Sequence, residues 1–110
     1  MKRIDAVIRK RNLDNVKTQL MRIGVEGLTV AEVMGFGLQK RTEVYRGVKY
    51  VVPFPNLLLT IIARDDQVTE IVDAILEGAR TGKIGDGKVF VSSLDEVVRI
   101  RNGEIGKAAV

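Results

Sequence analysis

The chain has 110 residues, enough for one compact domain, and we expect residues 1–110 to form a single unit. It contains no histidine and no cysteine, which excludes Ser-His-Asp and Cys-His catalysis, His-ligated metal sites and disulfides. Eighteen basic and fourteen acidic residues favour an anionic ligand, although a mixed solvated surface has the same composition. No apolar run has the length of a membrane span, and we predict a soluble cytoplasmic protein.

The first third of the chain predicts a strand, a helix and a second strand. Residues 3–9 alternate as a strand does, and the apolar side chains of one face are Ile4, Ala6 and Ile8. The next apolar residues have helical spacing, and they are Leu13, Val16, Leu20 and Ile23. Asn12 can cap the start of this helix, and Gly24 can end it. Residues 27–37, "GLTVAEVMGFG", predict a second strand that ends in glycines.

Residues 38–55 interrupt this pattern. The segment contains both tyrosines and both prolines of the chain, several basic residues and no sustained core period. Its "YVV" can form a short strand, but as a whole the segment predicts a long loop. Loops of this length in compact domains usually have a function.

The second half repeats the order of the first. Residues 56–64, "NLLLTIIAR", predict an apolar strand buried on both faces. Residues 65–82 predict a helix that an aspartate caps and Gly82 ends. Its apolar residues at i, i+3 and i+4 spacing are Val68, Ile71, Val72, Ile75, Leu76 and Ala79. "KVFVS" (88–92) and "EVVRIR" (96–101) predict further strands.

The element order predicts an α+β fold, the ferredoxin-like βαββαβ sandwich, with an antiparallel sheet and two helices on one face. The other sheet face then has no cover within the chain. The apolar residues that we expect there are Val7 or Ile8, the "LLL" run at 57–59, Val89 and Val91. We expect other copies of the chain to bury them.

The segment "TGKIGDGK", residues 81–88, is rich in glycine and lysine. It resembles a Walker A loop, but Val89 stands where that loop has Ser or Thr. A Walker A loop also leaves a strand and enters a helix, whereas this one leaves a helix and enters a strand. Glycines still allow backbone N–H groups to converge on an anion, with Lys88 as a cation at the edge. The alternative is a plain turn whose glycines serve only positive φ.

Arg99 and Arg101 lie two residues apart on a predicted strand, so their guanidinium groups should leave the same face. Val98 and Ile100 would then point the other way. Two guanidinium groups on one face suit a polyphosphate, which accepts paired charge-assisted hydrogen bonds. Exposed charges on an edge strand are the alternative.

Four segments, "GLTVAEVMGFGLQK", "YRGVKYVVPF", "TGKIGDGKVFV" and "VVRIRNGE", together resemble the PII family of nitrogen-regulatory signal proteins. The resemblance runs along nearly the whole chain. It implies a non-catalytic homotrimer whose clefts bind ATP or ADP competitively and, with MgATP, 2-oxoglutarate. It also implies a T-loop, about residues 38–55, that docks on an ammonium transporter, a kinase or a metabolic enzyme. Membrane contact would arise only through such a transporter.

The resemblance also assigns nucleotide-binding residues. The B-loop, 81–88, would cradle the phosphates with Gly85, Asp86, Gly87 and Lys88. In the C-terminal segment, about 99–110, Arg99 and Arg101 would reach the phosphates from the neighbouring subunit. Thr29 and the backbone near Ile62 would contact the adenine.

By the same resemblance, Gly35, Gly37 and Gln39 form the base of the T-loop. Gln39 matches the contact to magnesium and 2-oxoglutarate, and Tyr50 matches a tyrosine that some members have uridylylated. Two positions depart from the family. Leu38 replaces an arginine near the phosphates, and Asn56 aligns with the lysine that pairs with a 2-oxoglutarate carboxylate, which makes a 2-oxoglutarate response doubtful.

Two other classes of protein are alternatives to a signal protein. An enzyme of phosphate chemistry would need a positioned base and magnesium ligands, and the sequence offers only scattered carboxylates. An RNA-binding ferredoxin-like module would need stacking aromatics on its sheet, and Phe36 and Phe90 are the only aromatics in the predicted strands. We therefore expect no nucleic-acid partner. A regulator that senses adenylates alone, acting on another transporter or enzyme, stays open because of Asn56.

Overall fold

The computed structural model describes the backbone of residues 1–35, 41–45, 48–52 and 54–110, and the side chains of residues 1–35 and 56–110. The strands are β1 Lys2–Arg9, β2 Thr29–Gly35, β3 Arg41–Tyr45, β4 Val48–Val52, β5 Phe54–Ala63 and β6 Lys88–Ser93. The helices are α1 Leu13–Arg22 and α2 Val68–Ala79. Short 3-10 turns span Lys10–Asn12, Asp65–Gln67 and Gly106–Ala109. None of the helices described is long and apolar enough to cross a membrane.

Four strands form one antiparallel sheet in the order β2-β5-β1-β6. Both helices pack on one face of this sheet, which confirms the predicted ferredoxin-like βαββαβ fold. The helices approach each other closely, because a Cβ added at Gly78 in α2 would lie 2.6 Å from the Cα of Val16 in α1. Glycine at this position therefore sets the spacing of the helical layer.

The core lies between this sheet and the helices. Ile4, Ala6 and Ile8 are buried as predicted, and the register pairs them with residues of β5. Their partners, also buried, are Ile61, Leu59 and Leu57. The helices contribute buried residues from their apolar stripes, which are Val16, Leu20, Ile71, Ala74, Ile75 and Ala79.

The sheet face away from the helices, here called the open face, has no cover within the described chain. The prediction that β5 is buried on both faces is wrong for a single chain, since Leu58 and Ile62 are only half-buried. Phe90 of β6 is 53% exposed on the same side. Val89 and Val91, predicted for this face, pair with Ala6 and Ile4 and so lie on the helix side. The same correction applies to Leu57 and Leu59 of the predicted "LLL" run, which are buried in the core.

Two predicted helix caps are replaced by other contacts. The Asn12 side chain does not cap α1; its Nδ2 donates to the carbonyl of Ala79 at 3.3 Å and so ties the start of α1 to the end of α2. No aspartate caps α2, because a 3-10 turn precedes it and Gln67 Oε1 accepts the N–H of Arg64 at 3.1 Å. The helix ends at Ala79, before the positive-φ Gly82.

The segment predicted as a long loop contains a two-stranded antiparallel hairpin, β3–β4. The short strand expected at "YVV" is part of β4, and β5 begins at Phe54 rather than at residue 56. Valine and tyrosine are frequent in β3 and β4, and such residues favour strands even where no core period is visible.

The strand predicted at 96–101 is wrong. Val98 forms only an isolated bridge with Ile105, and the chain between them turns back on itself. Arg99 N–H donates to Glu104 O, and Gly103 N–H donates to Arg99 O, both at 2.8 Å. The "NG" pair at 102–103, with φ of +71° at Gly103, is a turn signal that outweighs the alternation of Val and Arg before it.

Candidate functional site

The glycine loop, residues 81–88, leaves α2 and enters β6, as the element order requires. Gly82, Gly85 and Gly87 have φ of +82°, +98° and +102°, a region that residues with a side chain rarely adopt. At Gly87 a Cβ would also lie 1.7 Å from the carbonyl oxygen of Val7. This loop is therefore more than a plain turn, because it packs its backbone directly against the end of β1.

Asp86 directs its carboxylate at the beginning of the loop. Oδ2 accepts the N–H of Thr81 at 2.8 Å and of Gly82 at 2.9 Å, and Oδ1 accepts the Thr81 hydroxyl. The Thr81 hydroxyl, then the Thr81 N–H, and more weakly the Gly82 N–H and the Arg9 cation, lower the pKa of Asp86 to about 2, against the opposing effect of desolvation. Asp86 is anionic at neutral pH, and both of its carboxylate oxygens accept hydrogen bonds from residues of the loop.

Arg9, at the end of β1, holds the same loop from the side of the sheet. Its Nε donates to Gly85 O at 3.0 Å and its Nη2 donates to Ile84 O at 2.7 Å. Nη2 also lies 3.7 Å from Asp86 Oδ1. The sequence reasoning missed Arg9 and Thr81. A Thr and an Asp bracketing a glycine-rich turn is a local signal for the latter contact, whereas nothing near Arg9 in sequence indicates its role.

Part of the loop backbone stays available to a ligand. The N–H groups of Ile84 and Gly85 donate to no described residue, whereas that of Lys83 donates to Thr81 Oγ1 at 3.3 Å and that of Asp86 closes the turn over Ile84 and Gly85. The Lys88 side chain is exposed. A cavity of about 470 Å³ lies next to the loop, between α2 and β6, with Gly87 and Lys88 in its wall together with apolar residues of α2. Backbone donors with a cation at the edge can bind an anion.

A second cavity, of about 530 Å³, contains Thr29 and Ile62 in its wall. The structure thus brings together the two residues predicted to contact adenine, in company with Thr60 and the C-terminal Val110. This cavity lies far from the glycine loop within one chain. Lys88 pairs with Val7, which pairs with Leu58, and Ile62 is four residues further along β5, about 13 Å.

Gly35 and Asn56 meet at the end of the sheet nearest the segment 36–40. The Nδ2 of Asn56 would lie 3.7 Å from a Cβ added at Gly35, and Asn56 pairs with Arg9 across β1 and β5. Gly37, Leu38 and Gln39 lie outside the described residues, so the predicted magnesium contact of Gln39 does too. Tyr50 is placed by its backbone in β4. Among the side chains described, no group of three acidic residues is arranged to hold a metal.

Arg99 and Arg101 do not share a strand face as predicted. They stand on the turn between Val98 and Ile105, on either side of Ile100, which is fully exposed. Arg99 Nη1 forms an ion pair with Glu104 Oε2 at 2.9 Å, and Asn102 Nδ2 donates to Glu104 Oε1 at 2.8 Å. Neither arginine lines either of the two cavities described.

A ferredoxin-like βαββαβ sandwich whose second helix leads into a glycine-rich loop defines a class of small α+β domains. Residues 1–104 match the family model described as nitrogen regulatory protein P-II. The chain is 51% identical to the nitrogen regulatory protein P-II of Mesorhizobium japonicum and 47% identical to that of Rhizobium meliloti, in each case over all of both chains.

A solved structure agrees with these sequence matches. The crystal structure of Arabidopsis thaliana PII bound to citrate superposes with a TM-score of 0.80 at 35% identity, over 98% of this chain and 87% of that one. The chain therefore belongs to the P-II family of nitrogen regulatory proteins, and the family resemblance found in the sequence is confirmed.

Proposed function

We propose that this chain is a P-II signal protein that binds ATP and ADP and regulates nitrogen metabolism, or a related process, without being an enzyme. Membership of the family supports a signalling role in nitrogen regulation. The observation that carries the nucleotide-binding proposal is the glycine loop, where the N–H groups of Ile84 and Gly85 have no described partner and the side chain of the following Lys88 is exposed. A triphosphate or diphosphate supplies the complementary oxygens.

The nucleotide would bind between two copies of the chain. In one chain the glycine loop and the pair Thr29 and Ile62 line separate cavities, about 13 Å apart along the strands. A ligand with a phosphate end and a base end would contact both kinds of residue where two copies meet. The phosphates would contact Gly85, Gly87 and Lys88 of one copy. The second copy would contribute Thr29, Ile62, Arg99 and Arg101.

The open face supports the assembly that this site requires. Leu58, Ile62 and Phe90 expose apolar surface that both helices leave uncovered. Burial of such surface between copies is favourable by about 25 cal/mol per Å², and closed symmetric assemblies are the usual outcome. We propose a homotrimer, with magnesium entering only with ATP and with Gln39 as its candidate contact.

A target protein completes the proposal. The segment 38–55, with its Lys, Arg and Tyr residues, would dock on an ammonium transporter or on a metabolic or regulatory enzyme. Gly35, Gly37 and Leu38 would connect the occupancy of the nucleotide site to that segment. Tyr50 is a candidate for modification.

A second candidate function, an adenylate sensor with little 2-oxoglutarate response, is favoured by Asn56. This amide stands beside Gly35, at the end of the sheet where the resemblance places the carboxylate of 2-oxoglutarate. An amide donates a hydrogen bond but supplies no charge, and replacing a charged donor by a neutral one costs about 1–2 kcal/mol.

Calorimetry tests both candidates. Titration of ATP and ADP into the wild-type protein should give saturable binding, and light scattering at the same concentration should give the mass of a trimer. The absence of ATP and ADP binding would contradict the nucleotide proposal, and a stable monomer would contradict the site between copies. Titration of 2-oxoglutarate into the MgATP complex should give weak binding, improved about tenfold by Asn56→Lys. Tight wild-type binding that the lysine does not improve would reject the adenylate-only candidate.

A further inference from the structure

Three side chains hold the glycine loop, Thr81 and Asp86 from within it and Arg9 from the end of β1, and we refer to them as the clasp. Thr81 and Asp86 close the loop on itself through the two backbone N–H groups and the hydroxyl that the carboxylate accepts. Arg9 joins the loop to the sheet through two carbonyl oxygens. The Arg9 side chain is only 14% exposed and that of Asp86 22%, although the loop residues that they contact are exposed.

Arg9 determines where the loop amides point. Its guanidinium binds the carbonyl oxygens of Ile84 and Gly85. In a trans peptide unit the C=O and the following N–H point in opposite directions. The N–H groups of Gly85 and Asp86 must therefore point away from Arg9, and that of Gly85 has no partner in the described chain.

Asp86 would repel a phosphate if its carboxylate were turned toward it. Instead the carboxylate accepts hydrogen bonds from Thr81 and Gly82, and Arg9 lies 3.7 Å from Oδ1, so donors at the start of the loop and on β1 compensate its charge. The carboxylate therefore stabilises the conformation of the loop, and the backbone of the loop is left to bind the phosphate.

We infer that Arg9, Thr81 and Asp86 are positioning residues for the phosphate site, acting through the loop backbone and not as ligands. This inference rests on the proposed function, because it assigns these side chains to the nucleotide site proposed above. Its distinctive consequence concerns the sign of one effect. Simple charge attraction predicts that removing the Asp86 carboxylate strengthens ATP binding, whereas positioning predicts that it weakens binding.

The test compares ATP affinity and amide exchange in full-length variants. We expect Asp86→Asn, Arg9→Gln and Thr81→Val each to weaken ATP binding about tenfold, while Thr81→Ser, which keeps the hydroxyl, stays near the wild type. Arg11→Gln is the matched control, since it removes the same charge two residues from Arg9, where the side chain is exposed. It should leave the affinity within about twofold.

Hydrogen exchange in the nucleotide-free protein tests the clasp without a ligand. The amides of Thr81 and Gly82 should exchange slowly in the wild type and in Arg11→Gln, and quickly in Asp86→Ala, which removes both acceptor oxygens. Wild-type protein that binds neither ATP nor ADP would overturn the proposed function and this role with it. If the wild type binds ATP, unchanged affinity in Arg9→Gln and Thr81→Val, or tighter binding by Asp86→Asn, would overturn the positioning inference alone.

Discussion

The glycine loop at 81–88 and the C-terminal turn at 98–105 are both glycine-containing turns with an acidic residue that accepts local hydrogen bonds. The glycine loop is also fixed to the sheet, through Arg9 and through the close approach of Gly87 to Val7. The C-terminal turn is held by contacts among its own residues, such as Arg99 with Glu104, while Ile100 is fully exposed. The glycine loop is fixed by contacts within its own chain. On our proposal, the C-terminal turn instead meets the glycine loop of another copy.

The largest expected effect is a difference in stability between a glycine substitution in the glycine loop and one in the C-terminal turn. Gly87→Ala places a Cβ 1.7 Å from Val7 O at a φ of +102°, so the backbone of β1 or of the loop must move. We expect it to lower the free energy of unfolding by about 3 kcal/mol or more, or to prevent folding. Gly103→Ala is the matched control, because its φ is +71° and nothing lies within 4 Å of the added Cβ. It should lose only about 1 kcal/mol.

Urea denaturation of both variants measures this difference. Similar losses at Gly87 and Gly103 would mean that the close approach to Val7 relaxes at little cost. The glycine loop would then be no more rigid than the C-terminal turn.

The next effect tests whether the glycine loop of one copy and the C-terminal turn of another form one ATP site. Lys88→Ala and Arg101→Ala should each weaken ATP binding by about 2 kcal/mol, the loss of one charge-assisted hydrogen bond. If Lys88 and Arg101 belong to one site between different copies, trimers assembled from a mixture of both variants regain intact sites. Random mixing of the two variants should restore about a quarter of the high-affinity sites.

Calorimetry on refolded mixtures gives the number of such sites, with each variant refolded alone as the control. A mixture that regains none, although light scattering shows that subunits have exchanged, would place Lys88 and Arg101 in the same chain's site or in none.

The sequence was a good guide where one period continues through an element. The alternation of Ile4, Ala6 and Ile8 predicts the helix-facing side of β1, and the i, i+3, i+4 series predicts α2. It misled at 96–101, where Val and Arg alternate like a strand but the following Asn-Gly pair turns the chain. The turn preference of the Asn-Gly pair therefore outweighs the strand-like alternation at 96–101.

The site was only half predictable for a related reason. The glycines and Lys88 are neighbours in sequence, so a local motif indicates an anion loop. Arg9 contacts Gly85 across 76 positions, a contact that no local pattern contains. The continuous apolar run of β5 correctly marks two buried faces only if other copies cover the open face, since one chain leaves Leu58 and Ile62 half-buried.

The smallest effect is a pH dependence that the glycine loop should have through Asp86. The pKa of Asp86 in the folded protein is about 2, and an aspartate in an unfolded chain titrates near 3.9. Because the folded pKa is the lower one, the carboxylate contributes stability that is fully present above about pH 5 and is lost as the pH falls from about 4 toward 2. In this window unfolding takes up a proton at Asp86.

We therefore expect the difference in unfolding free energy between the wild type and Asp86→Asn to be constant at neutral pH and to shrink in acid. Thr81→Val should reduce the same acid dependence, because it removes the hydroxyl that contributes most to the low pKa. Urea denaturation between pH 2 and pH 6 measures both differences. A difference between wild type and Asp86→Asn that stays constant down to pH 2 would show that the carboxylate is not held by Thr81 and Gly82. The glycine loop would then be no more fixed than the C-terminal turn.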